Sequence, residues 1–408
     1  MIEFGRGVCG DLAAAERREW LVTNGLGSFA SGTIAGTLTR RYHGLLIAAF
    51  RPPVERMLLI TKIDELANYG GQTYALATNR WHDDYISPSG FTLIQRFYLD
   101  GTTPMWEYAL ADALLEKRIW MEPGADVTYV RYRLLRAAAP VDLSLRVFVN
   151  YRNFHLNTHA GDWQMGLTAE SSRCVRVDAV PDGRPFWVTA DNGAFALEGV
   201  WYRDYVLAEE TARGLDDRDD HLAAASLTVR LAPDASVCIA CSDALLPAVA
   251  AEEALGRRRE HEADVERAYA DAVMGDEGPS WLQQCALAAD QFVVAHPIAA
   301  DSGARSVIAG YHWFGDWARD TMVALPGLTL TTGRPEIARN ILTTFSKFLV
   351  DGMLPNFFPD DGEAPQYNAV DAPLWYIEAA ARYFEVTSDE AALRALWPAL
   401  QEIIARYR

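Results

Sequence analysis

"WLVTNGLGSFASGTIAGTLTRRYHGLLIA", Trp20 to Ala48, gathers five glycines around a double arginine and a histidine. It admits three readings: a phosphate-cradling loop, a catalytic histidine site, or the framework of a β-domain. Gly25-Leu26-Gly27 followed by Gly32 lacks the Gly-Lys-Ser/Thr ending of a P-loop, and no strand-then-helix context surrounds it. No serine or cysteine nucleophile signature stands near His43, and Gly-x-Ser-x-Gly is absent. The second half instead alternates like two β-strands meeting at a turn. The glycines then serve tight backbone turns, and Arg40, Arg41 and His43 read first as structural residues.

Outward from this stretch, strand follows strand to about Asp243. "TYVRYRLLR" (128–136), "VDLSLRVFVNYR" (141–152), "PFWVTADNGAFALEG" (185–199) and "SLTVRLAPDASVCIACS" (226–242) are separated by turn clusters such as Pro-Asp-Gly and Asp-Asn-Gly. Short strands at regular spacing predict a large antiparallel β-sandwich, interrupted by a polar loop at 203–225. Beyond Pro247 the alanine-rich, charged "AVAAEEALGRRREHEADVERAYADAVM" has helical spacing and reads as a linker helix. The division expected is 1–245 for the β-domain, 246–279 for the linker and 280–408 for a helical domain.

After Gly278 the helices become apolar on one side. "SWLQQCALAADQFVVA" offers Ser280 as N-cap, with Leu282, Cys285, Ala289, Phe292 and Val293 at helical intervals. "RPEIARNILTTFSKFLVDG" places Pro335 in the first turn and Gly352 past the end. "TSDEAALRALWPALQEIIARY" has Thr387 and Glu390 at capping-box spacing, then Leu393, Leu396, Leu400 and Ile404 on one face, with Pro398 as a kink point. Helices joined by long, residue-rich loops predict stacked hairpins whose loops form one functional end.

Composition narrows the chemistry. The chain of 408 residues is half apolar and carries a net charge of −18, which argues against nucleic acid and suits a neutral ligand such as sugar. Five scattered cysteines include Cys238 and Cys241 at C-x-x-C spacing, but these lie in an alternating apolar run without a second pair, so no zinc site is expected. No apolar run approaches the roughly 18 residues of a membrane span, and the N-terminal segment does not read as a signal peptide, so a cytoplasmic location is the expectation.

Two loops hold the candidate chemistry. "GYHWFGDWARDT", 310–321, contains Tyr311, Trp313, Phe314, Trp317, Arg319 and Asp320 just before an apolar helix. Aromatic faces stack on the C–H faces of sugars while carboxylates and guanidinium groups bind hydroxyls. Asp320 alone also reads as a helix cap. "DGMLPNFFPDDGEAPQYNAVDAPLWYIEAA", 351–380, offers Asn356, Asp360, Asp361, Glu363, Asn368 and Asp371 with Tyr367, Trp375 and Tyr376 behind. Asp371 stands where a helix begins, where a carboxylate is often only a cap, yet the loop is long and aromatic for a mere connection.

Together these stretches resemble the prokaryotic type of glycogen debranching enzyme, the amylo-α-1,6-glucosidase family, in "WLVTNGLGSFASGTIAGTLTRRYHGLLIA", "AGYHWFGDWARDT" and "GMLPNFFPDDGEAPQYNAVDAPLWY". The resemblance implies an N-terminal antiparallel β-sandwich, a linker helix and the first part of an (α/α)6 barrel. It implies removal of α-1,6-linked glucosyl branches from glycogen or limit dextrin by inverting general acid/base catalysis. By motif, Trp317, Arg319 and Asp320 would grip the terminal glucose, Asp371 would be the general acid and Trp375 would pack beside it. No metal, organic cofactor or membrane is implied.

Inversion needs a second carboxyl about 6.5–9.5 Å from the first, with room for a water between. Asp371 would need an aromatic or acidic neighbourhood to stay protonated, for which Trp375, Tyr376, Tyr367 and Asp320 are the candidates. The family's base lies in a later loop than any before Arg408. The expectation is therefore a chain truncated within the catalytic domain and inactive alone, with Glu378 and Asp360 as weak alternatives for the base. A glucoamylase- or trehalase-like exo-glucosidase and a non-catalytic glucan-binding protein are the competing readings.

Overall fold

The strand Val127–Arg136 shows why the front of the chain is sheet. Its residues alternate between two covered faces. Val127 and Tyr129 pack with Trp120, Ala251, Ala254 and Leu255, and Arg131 reaches Glu252 at 2.6 Å. On the opposite face Tyr132 is wholly buried and its hydroxyl donates to Glu65 at 2.7 Å. Period-two alternation with both faces covered makes nearly every residue apolar or paired.

The computed structural model describes residues 2–273, 279–296, 303–359 and 364–408. Two large antiparallel sheets carry the front. One runs Glu3–Gly5, Ile94–Asp100, Thr103–Leu110, Ala113–Met121, Val127–Arg136, Ser236–Ser242, Phe186–Ala190, Cys174–Asp178 and Gly166–Ser171 in spatial order. The other runs Ala194–Val206, Arg218–Leu231, Val141–Asn153, Val54–Tyr69, Gly44–Arg51, Phe29–Thr33 and Glu19–Thr23, with Gln72–Ala75 against Val54–Tyr69. Compactness divides the chain into one unit of Met1–Asn24, Phe29–Ala48 and Met57–Arg258, and another of Gly25–Ser28, Ala49–Arg56 and Arg259–Arg408.

The glycine-rich stretch is indeed β framework. Gly27 has φ +97°, and a Cβ there would lie 2.7 Å from the Pro53 carbonyl oxygen, so only glycine fits. The indole N–H groups of Trp20 and Trp106 donate to the Thr33 and Ile34 carbonyls at 3.2 and 2.9 Å, and the two rings meet edge-on at 5.7 Å. Residues 34–43 form a turn rather than strand. There Arg40 pairs with Glu19 at 2.6 Å, Arg41 donates to the His155 and Asp216 carbonyls, and Thr39 N–H donates to His43 Nδ1. All three residues thus have structural partners.

Other boundaries differ from the sequence reading. The span 203–225 is not a loop throughout: strands reach Val206 and resume at Arg218 around a short helix, Ala208–Ala212. The linker helix runs over Ala251–Ala272 and is packed along one side. Its first turns lie on the sheet through Ala251, Ala254 and Leu255, and buried Arg258 donates to the Thr23 and Met121 carbonyls. Farther on, Val265 and Tyr269 pack with Ala286 and Leu287.

In the second unit, helix Ser280–Gln291 has Pro279, not Ser280, at its cap position, and it buries Ala286 and Leu287 while Cys285 stays exposed. Val293 belongs to a short strand, Val293–Ala295. Helix Pro335–Ser346 ends well before Gly352. Thr387 closes helix Ala372–Thr387, and Asp389 caps Glu390–Arg406 by accepting from Ala392 N–H at 3.0 Å. That last helix continues through Pro398 and buries Leu396, Leu400 and Ile403, not Ile404. Helices Ala318–Leu325, Pro335–Ser346, Ala372–Thr387 and Glu390–Arg406 share one apolar core centred on Leu325, Ile341, Phe345, Tyr376 and Ile403.

Candidate active site

Residues 310–321 fold as the end of a hairpin that feeds a helix. Arg305–Gly310 pairs antiparallel with Phe314–Trp317, so Tyr311, His312 and Trp313 make the turn. Helix Ala318–Leu325 follows at once, with Trp317 at its cap position and Asp320 in its first turn, so Asp320 is not the cap.

The second loop returns to this hairpin. Phe357–Phe358 pairs with Phe314–Trp317, placing Phe357 opposite Trp317, and their rings stack at 4.8 Å and 18°. The Asn356 carbonyl accepts from Ala318 N–H at 3.0 Å, and Asn356 N–H donates to the Gln366 carbonyl at 2.5 Å. The chain then brings Asp371 to the start of helix Ala372–Thr387. There Asp371 Oδ2 lies 3.3 Å from Arg319 Nε, and the Asp371 side chain caps nothing. Both partners are partly exposed, at 46% and 40%. A pair this open is worth about 0–1 kcal/mol to stability, so its members remain exchangeable for ligand groups.

Trp317, Arg319, Asn356 and Asp371 are therefore brought together from two loops. Asn356 Oδ1 is buried without a hydrogen-bond partner among the described residues. Phe314 is half exposed and meets Trp317 edge-on at 5.9 Å. Trp313 packs edge-on against His312, and Asp320 and Asn368 are exposed. The Tyr311 ring lies on Phe292 at 5.8 Å, and burial pushes its hydroxyl far above the usual range.

The aromatic shelter expected around Asp371 is only partly formed. Tyr376 is wholly buried in the helical core and donates to the Leu342 carbonyl at 3.0 Å. Tyr367 donates to the Phe348 carbonyl at 2.9 Å. Trp375 is 41% exposed one helical turn beyond Asp371, and its N–H donates to the Asp371 carbonyl. Tyr407 donates its hydroxyl to the neighbouring Val370 carbonyl. Glu378 lies on the open face of its helix, paired with Arg382 at 3.0 Å; Asp360, Asp361 and Glu363 fall outside the described residues.

Asp316 immediately precedes Trp317 on the same strand. It is fully buried, and burial raises its carboxyl from 3.8 to about 7, with the nearby Ser306 and Thr321 hydroxyls holding it down only in part. Neither oxygen is engaged in a well-formed hydrogen bond among the described residues. His296 Nε2 stands 3.6 Å away, and burial lowers that imidazole to about 4. Between those values acid and imidazole are both neutral. The strand alternation of "FGDW", which points Asp316 opposite to Trp317, was the signal available.

Residues 18–238 match the family described as glycogen debranching enzyme N terminal, and residues 287–408 match amylo-alpha-1,6-glucosidase. The chain belongs to the glycogen debranching enzyme family. Its relatives include the glycogen debranching enzyme of Saccharomyces cerevisiae (strain ATCC 204508 / S288c), 38% identical over 73 residues, which is 18% of this chain and 5% of the yeast protein. Solved structures similar to it include a putative kojibiose phosphorylase from human microbiome, with TM-score 0.44, 10% identity, and coverage of 91% of this chain and 54% of that one. A bacterial glucoamylase complexed with acarbose matches with TM-score 0.41, 9% identity, and coverage of 91% and 56%. The chain spans about half the length of these two structures. Within this debranching family member, the amylo-alpha-1,6-glucosidase match takes in both loops that meet at Arg319 and Asp371.

Proposed function

We propose that this chain supplies the sugar-gripping wall and the proton donor of a glycoside hydrolase that removes α-1,6-linked glucosyl branches from glycogen or limit dextrin, with inversion. The helical unit is then the first part of an (α/α)6 barrel. The observation that carries this reading is the 3.3 Å approach of Arg319 to Asp371 beside the Trp317–Phe357 stack, which joins ring, guanidinium and acid across two loops.

Trp317 presents a face to the glucose ring, while Arg319, Asp320 and Asn356 take its hydroxyls. A sugar that engages Arg319 releases Asp371 from the ion pair. The carboxylate then takes a proton from solvent and passes it to the glycosidic oxygen as the bond breaks, while a water that gives its proton to a second carboxylate attacks the opposite face. Glu378, held by Arg382 on the open face of its helix, does not take that second role.

The test is titration of the chain with isomaltose and, in a full-length version that carries the second carboxylate, assay on a branched limit dextrin compared with linear maltosyl ends. Arg319→Ala should weaken isomaltose binding at least about tenfold, the loss of a charge-assisted hydrogen bond. Asp371→Asn should bind as wild type and release no glucose. Unchanged binding in the first variant, or glucose release by the second at the wild-type rate, would overturn the assignment. Faster release from maltosyl ends than from branches would favour a glucoamylase-like enzyme.

A further inference from the structure

A groove with a volume of about 510 Å³ lies within the β-rich unit. Sheet register builds its floor. Arg146 stands opposite Asp64 and Ser144 opposite Leu66 on adjacent strands, so these side chains project from one face of the sheet. Trp81, His82, Tyr85, Pro88 and Tyr202 supply the walls.

Trp81, Tyr202 and Tyr85 line it together with His82, and the first two are held by neighbouring side chains. Trp81 packs on Tyr205 at 4.5 Å and donates its indole N–H to the Ser87 carbonyl at 2.6 Å. Tyr202 meets the edge of Phe148 at 5.0 Å and lies under the Arg146 guanidinium at 5.5 Å. Tyr85 stands 61% exposed at the rim. One exposed ring would need no explanation, but here it adjoins two anchored rings and a set of oriented polar groups. Asn79 donates to Asp64 at 2.7 Å and accepts from Lys62, and Arg146 is held by Glu198 at 2.8 Å.

The ionised carboxylates and guanidinium are paired within the protein: Asp64 with Lys62 at 2.9 Å, Glu65 with Lys117 at 2.5 Å, and Arg146 with Glu198. A groove of rings, amide and neutralised ion pairs selects neither an anion nor a cation. It fits an uncharged polyhydroxylated ligand, with ring faces against C–H faces and the spare hydrogen-bonding positions of Asp64, Asn79 and Arg146 toward hydroxyls. The volume is that of pockets holding drug-sized ligands, enough for about two or three sugar rings. A nucleotide would match the rings but is opposed by the net charge of −18.

We infer that this groove is a non-catalytic binding site for an oligosaccharide segment of the glucan. Its chemistry selects carbohydrate; the choice of an α-1,4-linked chain rests on the proposed function. Calorimetric titration of the chain with maltoheptaose should resolve two sites. Tyr85→Ala should weaken one at least tenfold without lowering the melting temperature, Tyr85→Phe should restore it, and Arg319→Ala should affect only the other. Absence of any maltoheptaose site that responds to Tyr85→Ala overturns the inference. Equal affinity of the Tyr85-dependent site for cellohexaose overturns the α-glucan occupant. A Tyr85-dependent site that persists when no site responds to Arg319→Ala supports the groove and counts against the catalytic pocket alone.

Discussion

Asp316 carries the clearest electrostatic consequence at the scale of one residue. The folded protein holds its proton up to about pH 7, whereas an unfolded chain releases it near the ordinary value of 3.8. Stability from this group is therefore complete below about pH 4 and is lost as pH rises through 7. The difference amounts to at most about 4 kcal/mol. His296 works the other way: lowered to about 4, its contribution is present above 6.5 and lost as pH falls. Comparing Asp316→Asn with wild type isolates the acid. The variant should gain in urea midpoint from pH 5 to pH 8 relative to wild type and hold that gain above pH 8. A pH-independent difference would mean that Asp316 is already ionised at pH 5.

Arg319 and Asp371 were legible as single residues because rings, guanidinium and acids are dense in their two loops. Asp316 was not, since burial is a property of its surroundings and nothing in the identity of an aspartate announces it. Tyr367 and Tyr376 make the same point. Their neighbourhood in sequence suggested an aromatic shelter for Asp371, but helical geometry turned Tyr376 into the core.

Among the elements, an ion-pair cluster joins three helices of the second unit. Asp290, on Ser280–Gln291, accepts from His261 of the linker helix at 2.6 Å and from Arg334 at the cap of Pro335–Ser346. Burial alone would raise the Asp290 carboxyl; the bond from His261 and the charge of Arg334 outweigh it and hold it below the usual range. Its contribution is present above about pH 4 and lost as pH falls further. Asp290→Ala leaves buried Arg334 without its carboxylate, and should cost about 3–5 kcal/mol in urea unfolding of this unit at pH 7. A loss under about 1 kcal/mol would show that the Leu328 carbonyl and Thr332 hydroxyl satisfy Arg334 unaided.

Element identity was readable and element ends were not. Thr387 and Asp389 are both competent caps two residues apart, and only the left-handed turn at Ser388, φ 52°, decided for Asp389. Likewise the apolar stripe of the last helix includes Ile403 rather than Ile404, because adjacent isoleucines satisfy the same spacing until a neighbour is packed against them.

Across the whole molecule, the five cysteines separate by position in the fold. Cys9, Cys174, Cys238 and Cys241 are buried and Cys285 is exposed, and none is disulfide-bonded. Burial pushes the Cys241 thiol up to about 12 and Cys238 well above its usual range. A thiolate reagent should therefore titrate one cysteine rapidly in the native protein and the remaining four only in denaturant. Two or more fast-reacting thiols would contradict the buried placement of the C-x-x-C pair.

The order of β-rich front, charged helix and apolar helices was determined by sequence alone, because period two and period 3.6 are local properties of the chain. So were the two loops that hold rings and acids. Their meeting was decided by tertiary structure: pairing of Phe357 with Trp317 spans forty residues of separation, and it sets Asp371 beside Arg319. The groove beneath Tyr85 is of the same kind, since its floor depends on register between strands far apart in the chain. Register is fixed by the burial of one sheet face against another, a condition that no local stretch of residues contains.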